Sequence, residues 1–288
     1  MTDYESIVAT TDDGVRLGLA RFAPVGPRRG VLLCTHAMMA NSSYFRHKRG
    51  RFASFLASNG IEVYLLDWRG HGASVPPSPQ RDSWGFEDYV RLDLPAALQT
   101  VTETAGIGMG ELCYLGHSLG GLTALAGFGT GAAPLPGKLS LWAASVWLPG
   151  PRGPLKRRLT MRIYDLASRP LGYAPIRRLG FGTDDEPRQY VEQLAGWAYQ
   201  GDWLSRDGIR YVDYIHHITC PVFSVTGLGD PICFPPDVEV LRERLPNALP
   251  TRRVGISQGD AIDPDHFTLF TSDRLQPLWT ELVDFICE

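Results

Sequence analysis

Residues 111–128 read ELCYLGHSLGGLTALAGF. ELCYL is a short apolar run of the kind buried in a parallel sheet, and LGGLTALAGF suits the start of a helix. Between them, Gly116-His117-Ser118-Leu119-Gly120 puts a serine on a strand–turn–helix corner, where its hydroxyl is exposed above the sheet. Glycine at each flank meets a steric need, since a Cβ there collides with the neighbouring strand and helix. The pattern alone is weak, because a plain turn with a capping serine has the same letters. The rest of the chain decides.

Outward from this corner the same alternation recurs. IVATT and VRLGLARF flank the turn signal Asp12-Asp13-Gly14 and predict an antiparallel opening pair. GVLLCTH (30–36), IEVYLLDW (61–68), LSLWAASVWL (139–148), PVFSVTG (221–227) and a weaker TRRVGIS (251–257) predict further strands. Amphipathic stretches at 43–59, 84–105, 236–245 and 270–287 predict helices between them. Alternating strands and helices define an α/β class with a mostly parallel sheet. The alternation breaks over 151–218, which is rich in Pro, Arg and aromatics and lacks an apolar strand run. It reads as an insertion over the C-terminal edge of the sheet, with 1–150 and 219–288 forming the core.

Composition narrows the function classes. The 288 residues are 44% hydrophobic and 20% charged, which suits one large domain and excludes a disordered chain. Net charge is −3, from 28 basic and 31 acidic residues, so a phosphate-neutralising nucleic-acid binder is disfavoured. No stretch approaches the apolar length of a membrane span. The first thirty residues lack a basic start followed by an apolar run, so they do not read as a signal peptide. The five scattered cysteines form no CxxC pair, which points to a reduced, cytoplasmic setting with no zinc site.

A serine attacks a carbonyl only when a base takes its proton, and that base needs an orienting carboxylate. Asp230 follows PVFSVTG, in a loop at the strand's C-terminal end where parallel sheets place ligand sites. His266 follows the last strand and precedes the final helix. The other six histidines (His36, His47, His71, His117, His216 and His217) do not follow the last strand. Asp263 and Asp265 rival Asp230 as the orienting acid.

These blocks, together with Asp67-Trp68-Arg69-Gly70-His71-Gly72-Ala73-Ser74, resemble the α/β-hydrolases over nearly the whole chain. The resemblance implies an eight-stranded, mostly parallel sheet and a helical cap inserted after strand six, where 151–218 falls. It implies catalysis by Ser118, His266 and Asp230 without metal or organic cofactor, and a structural role for the turn holding His71. The N–H of Leu119, at a helix N-terminus, should form half of the oxyanion hole. The family's usual His-Gly after strand three is His36-Ala37 here, which maps the second donor to Met38, with Met39 as the fallback.

The expected activity is cleavage of a carboxylic ester with an apolar acyl or alcohol part, a small-molecule acyl substrate. Acyl transfer, thioester hydrolysis, C–C hydrolysis and perhydrolysis use the same triad, and a ligand receptor or scaffold on this fold is the non-enzymatic alternative. Serine at 118, where dehalogenases and epoxide hydrolases of the family carry aspartate, argues against both of those. The aromatics of 151–218 either meet a hydrophobic substrate or pack the insertion onto the sheet. Residues 152–178 carry eight basic groups against Asp165, a charge that fits anionic lipid or an acidic carrier protein.

Overall fold

In the computed structural model the apolar runs form one eight-stranded sheet, and a separate pair of two-residue strands lies within 151–218. The strands are β1 (Glu5–Thr10), β2 (Arg16–Phe22), β3 (Gly30–Thr35), β4 (Ile61–Leu66), β5 (Leu112–His117), β6 (Lys138–Trp142), β7 (Tyr173–Ala174), β8 (Glu186–Pro187), β9 (Val222–Gly227) and β10 (Arg252–Val254). The large sheet has the order β1-β2-β4-β3-β5-β6-β9-β10, and β7 pairs with β8 apart from it. β1 and β2 enter antiparallel, and every pairing from β4 to β10 is parallel. The structure describes residues 4–46, 51–146 and 155–288, and of residues 156–158 the backbone. His47, Arg152 and the insertion's first residues, 151–154, lie outside the described residues, as do the side chains of Lys156, Arg157 and Arg158.

The central strands are apolar on both faces because both are covered. Leu33, Tyr64, Leu66, Tyr114 and Leu139 face one core with Tyr89, Leu94, Leu98 and Leu125. Their strand neighbours Leu32, Leu65, Leu115 and Val225 face the other with Phe52, Leu56, Trp279 and Leu282. Each such side chain contributes about 1.5–3 kcal/mol by leaving water. The sheet is therefore a rigid platform, and its C-terminal edge carries the loops.

Several elements are shorter than the periodicity predicts. The 43–59 stretch is a 3₁₀ turn at Ser42–Arg46 and a helix at Phe52–Ser58. The 84–105 stretch begins at Phe86, passes through a π-helical turn at Tyr89–Asp93 and continues as a helix over Leu94–Ala105, with Pro95 in its first turn. The predicted 270–287 helix is divided into Thr268–Thr271 and Gln276–Cys287, the second opening on Pro277. β6 stops at Trp142, not at 148, because Ala143 turns to φ 48 and leaves the sheet direction.

Between β6 and β9 the chain forms helices at Leu155–Ser168, Ile176–Leu179 and Arg188–Gln200, with the β7–β8 pair among them. Tyr190, Trp197, Trp203 and Tyr211 are buried, and all four rings pack around Phe86 of the core. For these four, packing residues 188–211 against Phe86 is the role the structure shows. Among the described residues no helix is long and apolar enough to cross a membrane.

Candidate active site

Register brings the C-terminal ends of four strands side by side. Thr35 of β3 pairs with Gly116 of β5, His117 with Trp142 of β6, and Trp142 with Val225 of β9. Ser118 follows directly, half-buried, with φ 53 and ψ −110. A non-glycine residue held there stores about 1–3 kcal/mol, which the surroundings must offset. Its N–H donates to the Trp142 carbonyl at 3.0 Å, and the Gly120 N–H donates to the His36 carbonyl at 3.2 Å. The helix Leu119–Thr130 starts immediately after it.

The flanking glycines are required by contact. A Cβ on Gly116 would stand 2.5 Å from the Gly121 Cα, and one on Gly120 would strike Thr35. Since the obstacle at Gly116 is backbone, Gly116→Ala is expected to destabilise the protein by about 3 kcal/mol or more. Urea unfolding checks this, and an unchanged midpoint would contradict the tight corner.

Asp230 and His266 meet over this edge. His266 Nδ1 lies 2.7 Å from Asp230 Oδ2, and both residues are buried, at 5% and 3% exposure. The other carboxylate oxygen accepts the N–H groups of Ile232 (2.7 Å) and Cys233 (3.0 Å). The Asp230 loop and the 263–264 segment approach closely enough that a Cβ on Gly229 would stand 2.5 Å from the Asp263 carbonyl oxygen. The rivals are engaged elsewhere. Asp263 accepts the Ile256 N–H, and Asp265 caps the 268–271 helix through Thr268. The His266 ring lies 4.6 Å, centroid to centroid, from that of His117, the residue before Ser118. Among the described residues no hydrogen bond joins Ser118 Oγ to His266, so their proximity rests on this ring contact and on the strand register.

The remaining histidines at this edge are buried and have structural partners. His36 gives its Nδ1 hydrogen to the Ala37 carbonyl (2.7 Å) and accepts the Trp68 N–H at Nε2 (3.0 Å), so its ring is neutral. Burial and the neighbouring His71 hold its pKa down at about 3. His117 Nδ1 faces the Tyr44 hydroxyl at 2.7 Å, and that hydroxyl also accepts the Ala37 N–H at 3.1 Å. Burial, then His266 and His36, push His117 well below its ordinary value. A neutral His117 adds no positive charge beside His266. His71 is buried in the turn after β4, its ring 5.2 Å from that of His36. That turn is braced by Asp67, which accepts the Ser42 and Ala73 N–H groups at 2.6 and 2.8 Å.

Residues 31–283 match the model of the alpha/beta hydrolase family. The chain belongs to this family. Curated relatives include Lipase member K of Homo sapiens, 30% identical over 142 residues, covering 44% of this chain and 35% of that protein. An uncharacterized protein of Mycobacterium tuberculosis is 28% identical over 207 residues, covering 67% and 66%. The chain thus spans about a third of the length of the lipases it matches first. Among solved structures, an esterase from Exiguobacterium antarcticum superposes with a TM-score of 0.68 at 16% identity, over 99% of this chain and 100% of that one. A monoacylglycerol lipase of Paleococcus ferrophilus gives 0.61 at 17%, over 94% and 98%. At these identities the superpositions speak for the alpha/beta hydrolase fold alone.

Against the usual hydrolase pattern, alanine at 37 creates no strain. Ala37 does not adopt the left-handed conformation, whereas Met39 does, at φ 60. The Met39 N–H is held by Glu186 Oε1. The sequence pattern does not mark Tyr44, whose partner His117 lies 73 residues on, or Glu186, 147 residues from Met39. The signal available for Glu186 was an acidic run, Asp184-Asp185-Glu186, after a strongly basic stretch.

Proposed function

We propose that this alpha/beta hydrolase is a serine hydrolase of carboxylic esters with an apolar acyl or alcohol part. The observation that carries the proposal is the buried 2.7 Å contact of Asp230 with His266 beside a serine held at φ 53. In this reading Ser118 attacks the ester carbonyl while His266 Nε2 takes its proton. Asp230, on Nδ1, fixes the tautomer and stabilises the imidazolium. His266 returns the proton to the leaving alcohol, and a water activated by the same ring then cleaves the acyl-enzyme.

The N–H groups of Leu119 and Met38 receive the oxyanion. Met38 is preferred over Met39 because the Met39 N–H is already committed to Glu186. The lipase relatives support ester chemistry for this chain, and 151–218 serves as the cap. The unpaired cysteines, four of them buried, suit a reducing, cytoplasmic setting.

The helix Leu155–Ser168 exposes Leu155, Leu159, Ile163 and Leu166 at helical spacing, with Arg162 on the same helix and Arg169 directly after its end. An apolar stripe with basic neighbours supports an acyl substrate presented at an anionic lipid surface. Hydrolysis of p-nitrophenyl esters from acetate to palmitate, with and without anionic vesicles, tests the proposal. Turnover that peaks at a medium or long chain is expected. No turnover of any ester would redirect it to thioesters and acyl transfer.

A further inference from the structure

The insertion holds the loop that carries Met38. Thr183 and Asp184 donate their N–H groups to the Met39 carbonyl at 2.9 and 3.3 Å, and Glu186 Oε1 accepts the Met39 N–H. Both sides of the Met39 residue are therefore gripped by 183–186. Asp184 extends the strap, accepting Asn41 Nδ2 at 2.6 Å and the Gly72 N–H at 2.9 Å.

Glu186 is fully buried on the β7–β8 pair, and its Oε1 also lies 3.3 Å from His71 Nε2. His71 Nδ1 faces the Arg69 carbonyl at 2.9 Å, so both ring nitrogens meet acceptors and the ring carries both hydrogens. Burial, the largest influence, opposes that charge, but Glu186, together with Asp184 and the Arg69 carbonyl, holds the His71 pKa up at about 9. A fully buried ion pair is a poor device for stability alone, because apolar residues of like size do as well. This pair instead aims a carboxylate at one peptide N–H, in a residue whose backbone is left-handed without being glycine.

We propose that Glu186 is a positioning residue of the oxyanion loop. By tying down the Met39 N–H it presents the Met38 N–H to the substrate oxyanion, so the hole is complete when the insertion is seated. The proposal rests on the ester-hydrolase reading above.

The test is steady-state kinetics of Glu186→Ala, Glu186→Gln and Gly182→Ala on the p-nitrophenyl ester that the wild type turns over best. Thermal melts and the affinity of a trifluoromethyl ketone, which forms a tetrahedral adduct on serine, accompany it. Glu186→Ala is expected to lower kcat by about 10²–10³-fold, the effect of losing an oxyanion donor. KM should stay within about twofold, and the ketone should weaken in step with kcat/KM. Glu186→Gln keeps an oxygen for the Met39 N–H and should restore kcat to within about tenfold of wild type.

Gly182→Ala keeps the Glu186 side chain, but its Cβ would strike the Met39 carbonyl oxygen and stand 2.9 Å from the Met39 Cβ, shifting the oxyanion loop directly. It should lower kcat as well, and it carries the test if Glu186→Ala does not fold. Wild-type kcat in a folded Glu186→Ala or in Gly182→Ala, or a loss confined to KM, overturns the proposal. A wild type that cleaves no ester and takes no fluorophosphonate on Ser118 removes the hydrolase reading itself, and this role with it.

Discussion

Replacing Ser118 or His266 with alanine is expected to lower kcat by about 10⁶-fold each, with the fold intact. The size follows from the two residues acting as a unit. Without the hydroxyl there is no acyl-enzyme, and without the imidazole the hydroxyl keeps its proton at neutral pH. Removing both should therefore cost little more than removing either. The fold survives because Ser118 is half-buried and its backbone, not its side chain, makes the corner's hydrogen bonds to Trp142 and Leu122. Initial rates on the preferred ester and far-UV circular dichroism check both halves. A Ser118→Ala enzyme with a tenth of wild-type rate would mean that the reaction does not pass through this serine.

Asp230→Asn is expected to lower kcat by about 10⁴-fold. The reason lies in the two sides of the carboxylate. One oxygen accepts two backbone N–H groups, from Ile232 and Cys233, so the asparagine carbonyl must take that place. The amide nitrogen then faces His266 Nδ1, where it donates a hydrogen. Held so, the ring carries its hydrogen on Nε2 and cannot accept one from Ser118. Asp263→Asn and Asp265→Asn should keep kcat within about tenfold, since both carboxylates serve backbone and capping contacts. Loss in either of these with a normal Asp230→Asn would transfer the orienting role.

Local pattern revealed the elements that make the platform. Continuous apolar runs predicted the central strands, since a strand buried on both faces must be apolar throughout. The corner at Ser118 was legible because its letters stand between such a strand and a helix. Asp230 and His266 were placed near that corner by the rule that loops at the C-terminal strand ends converge, and the structure brings these two together. What escaped was interaction at long range. Glu186 lies 147 residues from Met39, and Tyr44 73 residues from His117, so no local period marks either. Element ends were also overdrawn: hydrophobic spacing continues through Ala143 and through residues 272–275, where backbone turns interrupt the sheet or helix.

The most direct test of the account is fluorophosphonate labelling followed by intact mass and peptide mapping. The account predicts one adduct, on Ser118, absent in Ser118→Ala and formed far more slowly in His266→Ala. An unlabelled wild type, or an adduct on another residue, would contradict it.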